Sequence, residues 1–274
     1  MEKFTQGTMI EHIRSEKYKN IRCIGVVISA RCDIAQKKIS LFHCLTALQL
    51  SDWIYEVLYY VILGEKIKQV RNTIDSFCCQ KKLDTETLLK MANNERETVL
   101  GTYAKKTEQE KMKETLCSWD ELKTMEGKEV ERIDKKSFLL REKKMLEKHI
   151  SCLYNSNFPK YVFIPQKAYS KSDSSVLGIV VDLQDIHQYS TNFIEKMQTY
   201  KYDYQTLTDE AERKRINEKF FFEDEEDFVL ASDIVESPWI EHLMQKFSVS
   251  FIRIGLDNAS EYETKDFCKE WLEG

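Results

Sequence analysis

Hydrophobic and polar positions alternate in different ways along this chain. Near the N-terminus, Ile24-Gly-Val-Val-Ile-Ser29 is a β-branched run that reads as a buried strand. Lys38-Ile-Ser-Leu-Phe-His-Cys-Leu45 alternates partly and reads as a second strand. Arg31-Cys-Asp-Ile-Ala-Gln-Lys37 connects the two, and Asp33 suits a turn there because its carboxylate can accept from nearby amides. Tyr161-Val-Phe-Ile-Pro165 and Val176-Leu-Gly-Ile-Val-Val-Asp182 read as two further strands, joined by the polar loop 170–175. They complete the sheet begun by the first 50 residues.

Between these β segments the spacing becomes helical. Ser51 or Asp52 suits an N-cap, and Ile54, Val57, Leu58 and Val61 follow at helical intervals. Asp75 and Asp84 are candidate starts of later helices, and Leu88, Leu89 and Met91 continue the apolar pattern. Positions 105–149 hold 13 Lys/Arg and 11 Asp/Glu, with Gly127 as their sole Gly or Pro. Val130, Ile133, Leu140, Leu146, Ile150 and Leu153 lie at intervals that predict one long amphipathic helix, an arm of a helical hairpin. Opposite charges such as Glu131 and Lys135, or Lys143 and Glu147, sit at i,i+4, which a solvated face explains. Asn157-Phe-Pro159 ends that helix. A C-terminal helix is predicted over 237–255, with Ser237 as N-cap, Pro238 in first position and Gly255 at its end. Ile240, Leu243, Met244, Phe247, Phe251 and Ile254 share its core-facing side.

The pattern predicts an α+β protein. A small β-barrel comes from 1–50 plus 158–190, an α-helical insertion occupies 51–157, and a C-terminal helical region covers 191–274. No internal repeat is present.

Composition narrows the function classes. Of 274 residues, 42 % are hydrophobic, which excludes a disordered chain. The longest apolar run, Trp53 to Leu63, is broken by Glu56 and falls short of the roughly 20 residues a membrane span needs. The first residues hold no apolar segment of the secretory kind, so a cytoplasmic location is expected, with no membrane partner. Eight cysteines (23, 32, 44, 78, 79, 117, 152 and 268) include no Cys-x-x-Cys pair, which fits scattered thiols in a reducing compartment.

The 46 acidic and 41 basic residues give a net charge of −5, unlike a general nucleic-acid binder. The distribution is uneven. Arg14, Lys17, Lys19, Arg22, Arg31, Lys37 and Lys38 make 10–38 basic, a local face for RNA or DNA. Glu223-Asp-Glu-Glu-Asp227 is a block of acids that suits masking of that face.

Candidate chemistry is sparse. Gly-rich phosphate loops, Gly-x-Ser-x-Gly elbows and His-Glu-x-x-His pairs do not occur, which argues against a nucleotide kinase, a common serine hydrolase and a zincin. Cys32 beside Asp33 is the sharpest local constellation. A thiolate becomes a nucleophile when a base or cation lowers its pKa, and His43, His242 or Arg31 are the candidates. The alternative is a small packed thiol with Asp33 closing a turn. Cys32, His43, Cys44 and His242 do not have a zinc-site spacing, so neither a metal nor a cofactor is predicted.

Gly7-Thr-Met-Ile10, Arg22-Cys-Ile-Gly-Val-Val-Ile-Ser29 and the strand reaching Thr46 resemble the opening of the MazF/PemK family of small SH3-like barrels. The family has an acid where Thr8 stands and a proline where Cys23 stands. The resemblance covers about 45 residues. It implies an SH3-like, MazF-like β-barrel and, in active members, RNA cleavage by residues at the positions of Arg22 and Thr46. An Arg fork suits the charge that develops on phosphorus, and a Thr hydroxyl can bond the phosphate.

Ser29-Ala-Arg-Cys-Asp-Ile34, taken with Ser237-Pro-Trp-Ile-Glu-His-Leu243, is similar to segments of uncharacterised bacterial proteins. That likeness spans both ends of the chain and implies no particular activity. Ser29, Arg31, His242 and Arg253 are the binding candidates, and Glu241, His242 and Arg253 suit a polar cluster against another domain. Three functions stand open. The first is a non-enzymatic interaction module of a toxin or phage-defence system, with a protein or nucleic-acid partner. The second is a MazF-like endoribonuclease, and the third a cysteine-dependent enzyme centred on Cys32 and Asp33.

Overall fold

The computed structural model describes residues 4–126, 130–170, 177–191, 202–203, 210–220, 228–229 and 231–252. The chain divides into two compact units, Met1–Leu50 with Cys152–Gly274, and Ser51–Ser151. The protein is α+β.

The β unit is built on six antiparallel strands that curl into a half-barrel. They are β1 (Thr8–Ile13), β2 (Cys23–Val27), β3 (Leu41–Gln49), β4 (Tyr161–Pro165), β5 (Gly178–Ser190) and β8 (Ala231–Ile234), in the order β4-β5-β3-β2-β1-β8. A separate pair, β6 (Tyr202–Asp203) and β7 (Phe228–Val229), makes a two-stranded ribbon. The connection over 31–37 begins with a short helix, α1 (Arg31–Ala35), rather than the turn expected. Asp33 lies inside it, and the Lys38 amide bonds the Asp33 carbonyl instead of the carboxylate.

Both faces of this sheet are covered, which is why its strands read as near-continuous apolar runs. On one face Met9, Val26, Leu45, Ala47, Val162, Ile164, Ile179 and Val181 pack with Ile240 and Leu243 of the C-terminal helix α10 (Trp239–Ile252). Met244 and Phe247 lie against the same core. Each fully buried side chain of this kind contributes roughly 1.5–3 kcal/mol. On the other face Phe4, Phe42, Tyr189 and Phe220 form a chain of rings with centroids 5.2–5.4 Å apart. Gly178 permits the tight β4–β5 approach, since a Cβ there would sit 2.2 Å from the Ile164 carbonyl oxygen.

Helix α10 starts one residue later than expected. Pro238 precedes it, and the Pro238 carbonyl accepts the His242 amide. The expected face residue Ile254, the stop at Gly255, the binding candidate Arg253 and the acidic block 223–227 lie outside the described residues.

The helical unit begins without a loop, because β3 runs directly into α2 (Leu50–Trp53). A π-helical segment, Ile54–Leu58, joins it to α3 (Tyr59–Lys81). Helices α4 (Thr85–Lys90), α5 (Asn93–Tyr103), α6 (Lys106–Glu126), α7 (Arg132–Arg141) and α8 (Lys143–Tyr154) follow. Asp84 caps α4 by accepting the Thr87 amide at 2.8 Å, whereas Asp75 lies inside α3 and pairs with Arg71. Ile62, Val70, Ile74 and Phe77 of α3 form its buried stripe, and α3 packs against α6 and α7.

The single long helix expected over 105–149 is three helices. Glu131 is the N-cap of α7, so it does not pair with Lys135 along one helix. Lys135 instead meets Glu56 at 3.2 Å. Glu142 ends α7 and pairs with Lys66 at 2.8 Å. Phe138 and Leu139 are buried, while Ile133 and Leu140 of the expected stripe are exposed. Among the described residues no helix is long and apolar enough to cross a membrane.

Candidate functional site: a bulged strand and its charged cavity

Strand β5 carries an irregularity opposite Thr46. Val181 pairs with Ala47 and Ile186 with Leu45, so Asp182, Leu183, Gln184 and Asp185 all face a single residue of β3. Bulges of this kind re-aim side chains and are common beside functional sites. Here it turns two aspartates toward the loop that follows β1.

Asp182 is fully buried. One of its oxygens accepts the Gln184 amide at 2.9 Å, which closes the bulge on itself. The other accepts Lys17 Nζ at 2.5 Å and the Tyr18 hydroxyl at 2.7 Å. Burial and the Asp182 charge push the Tyr18 pKa well up. Burial opposes the Lys17 charge, but Asp182 more than offsets it and the ammonium pKa rises.

Asp185 lies one turn of the bulge further on. Its Oδ2 accepts the Ser15 hydroxyl at 2.6 Å, and its Oδ1 is 3.3 Å from His187 Nε2. Burial alone would raise this carboxyl. Hydrogen bonding from His187, Ser15 and Thr46 overcomes it and holds the pKa down to about 2. Thr46 Oγ1 lies beside this carboxylate without a well-formed bond of its own. Ser15 Oγ also accepts the amides of Lys17 and Tyr18 at 3.1 and 3.3 Å, so one hydroxyl orders the loop and ties it to β5. The Arg14 amide bonds the Lys219 carbonyl at the end of α9 (Glu210–Lys219).

These elements enclose a cavity of about 730 Å³. Ser15, Asp185 and His187 line its floor, and Arg14, Glu16, Lys19 and Glu218 its rim. Among the described residues, Glu16, Lys19 and Glu218 make no ion pair. The charged lining therefore mixes two cations with three carboxylates.

The residues singled out in the sequence fall in three places. Thr46 is buried beside Asp185 and pairs with Gly25 across the sheet. Arg22 precedes Cys23, three residues before Gly25, about 10 Å along the strand. β2 begins at Cys23, so Arg22 lies just outside the strand.

A second group gathers where α1 meets the start of α10. Arg31 and Glu241 stand 3.6 Å apart. His242 Nε2 is 3.1 Å from Ser156 Oγ, and Lys246 donates to the Ser156 carbonyl at 2.9 Å. Burial, and then the Lys246 charge, lower the His242 pKa. Cys32 and Asp33 lie alongside Arg31 on α1. Among the described residues, the exposed Cys32 thiol has Asp33 Oδ1 at 3.5 Å as its polar contact, and neither His43 nor His242 bonds it. Ser29 Oγ accepts the His43 amide at 2.8 Å, and His43 Nε2 lies 2.9 Å from Gln188 Nε2. Cys44 is buried, and burial pushes its thiol pKa up. Among the described residues no set of three or more His, Cys, Asp or Glu could hold a metal ion.

Asp182, Asp185 and His187 were not candidates in the sequence. The signal they offered is Asp-x-x-Asp-x-His directly after the apolar run Ile179-Val-Val181. Ser15 and Glu218 offered none. No protein-family model, curated protein or solved structure matches this chain.

Proposed function

We propose that this chain is an interaction protein whose β unit receives a segment of a partner protein in the cavity beside the β5 bulge. The observation that supports this is the cavity itself, with a rigid hydrogen-bonded floor and a rim of mixed charge. Its hydroxyl is not set up as a nucleophile. Ser15 is fully buried and gives its proton to Asp185, not to His187. The basic stretch is not one open face either, since Lys17 is paired with Asp182 and Arg31 with Glu241. A protein partner therefore suits the site better than nucleic acid. We read the half-barrel as SH3-like and MazF/PemK-like, on the resemblance of its opening strands. A toxin or phage-defence setting in the cytoplasm belongs to the same reading.

A photo-crosslinking residue at Lys19 tests it in cells. One adduct of defined mass should form there and be lost when Glu218 is reversed to Lys. Absence of any adduct would overturn the reading.

One observation favours the ribonuclease as a second reading. Thr46, which the resemblance marks, lies with Asp185 and His187. In that reading His187 moves the proton and Arg14 and Lys19 hold the phosphate. Cleavage of single-stranded RNA in the presence of chelator, abolished by His187→Ala and Thr46→Ala, would establish it. Intact RNA would sink it.

A further inference from the structure

The cavity beside the β5 bulge also says what class of segment fits it. We infer that its occupant is a peptide stretch carrying one basic and one acidic side chain close together. This rests on the reading of the chain as an interaction protein.

Three observations carry it. First, every lining residue but Ile186 is polar or charged, and charged groups of both signs are among them. Second, the rim offers both signs at fixed places. Glu16 and Lys19 lie on the loop after β1, and Glu218 lies on α9. All three are exposed and without an ion-pair partner among the described residues. A strand of one sign would meet repulsion at part of this rim, and a polyphosphate would meet three carboxylates. A basic side chain between Glu16 and Glu218, with an acidic one toward Lys19, satisfies these three rim charges.

Third, the scaffold beneath is fixed. The β1–β2 loop that carries Glu16 and Lys19 is clamped twice, by Ser15 on Asp185 and by Lys17 with Tyr18 on Asp182. Its far end meets α9 through the Arg14 amide. The rim charges therefore stand on ordered backbone, which is what charge-pattern selectivity needs. His187 remains on the floor as a hydrogen-bonding group for the peptide backbone.

The test is a random-peptide display selection on the intact protein, followed by fluorescence anisotropy with the enriched peptides. The expected winners pair a Lys or Arg with an Asp or Glu within a few positions. Lys19→Glu and Glu218→Lys should each weaken them about tenfold. Both positions are exposed, so the melting temperature should not move. Reversal at Lys136, an exposed residue of α7, should leave binding unchanged. Winners of a single charge sign would overturn the inference, as would displacement of the peptides by single-stranded RNA. If the Lys19 crosslink still forms in cells in those cases, the interaction reading survives and this ligand class falls. If neither peptides nor crosslink appear, both fall.

Discussion

The two units bury polar groups of opposite character. The β unit buries Thr8, Ser15, Thr46 and Asp182, all hydroxyls or a carboxylate. The helical unit buries Arg96, Lys135 and His149, all side chains with nitrogen donors. The difference follows from the partners each unit presents. In the β unit the partners are amides and side chains of a loop, and an acceptor such as Ser15 Oγ or Asp182 collects them. In the helical unit Arg96 meets carbonyls at a helix end, which call for donors, while Lys135 and His149 face the carboxylates of Glu56 and Glu65. Arg96 donates to the carbonyls of Leu88 and Leu89 at the end of α4, then reaches Asp120 of α6 at 2.5 Å. One guanidinium so ties α4, α5 and α6 together. Lys135 plays a related part, with Glu56 of the π-helical segment on one side and the Tyr59 and Tyr60 rings on the other.

Substitutions can break this comparison. The largest effect is expected at Asp182→Ala, which strands the buried Tyr18 hydroxyl and frees the loop. A loss of about 4 kcal/mol in urea unfolding is expected, and a cost near zero would show that the acid is not an anchor. Gly178→Ala should cost about 3 kcal/mol by forcing β4 from β5. Arg96→Ala should cost about 2–3 kcal/mol, and Arg96→Lys should not restore it, because an ammonium cannot fork to two carbonyls and a carboxylate. If lysine does restore it, charge alone is what the helical unit needs. Asp84→Ala removes an exposed cap on α4 and should lower the urea midpoint less than any of these.

The smallest effect is a pH dependence. The Asp185 pKa is depressed in the folded protein, so its contribution is present above the ordinary carboxylate value near 3.8. It is lost as pH falls from about 4 toward about 2. The group is half-buried, so solvent screening keeps the amplitude small. Asp185→Asn should remove that segment of the acid-unfolding curve and leave the rest.

The two units also differed in how far the sequence disclosed them. The strands at 23–27 and 161–165 were visible, and the one at 41–49 was expected over 38–45, because both faces of the sheet are covered, which writes long β-branched runs. β5 was visible only to Asp182. Beyond it the strand meets polar groups on one side and solvent on the other, and its residues look like a loop. The helical segment was visible as helix but not as three helices, since nothing in the charge pattern marks Glu142 as an end. Of its i,i+4 pairs, Lys143 and Glu147 stand 3.6 Å apart as expected, whereas Lys135 makes a distant bond to Glu56. The cavity stayed hidden for a further reason. Ser15, Asp185 and Glu218 come from three remote stretches, and only the fold joins them.

The β5 bulge also acts as an inverter of parity. From Val181 to Ile186 the chain takes five steps while β3 takes two between the same partners. Before the bulge odd-numbered residues face the α10 core, as Ile179, Val181 and Leu183 do. After it they face the other way, which is how Asp185, His187 and Tyr189 come to the cavity and the ring chain. Loss of one residue between 182 and 185 would exchange the two sides of everything up to Ser190, sending His187 outward and Ile186 in. That short stretch is therefore under a length constraint stricter than its polar, loop-like composition suggests. Insertions and deletions there should be tolerated only in even numbers.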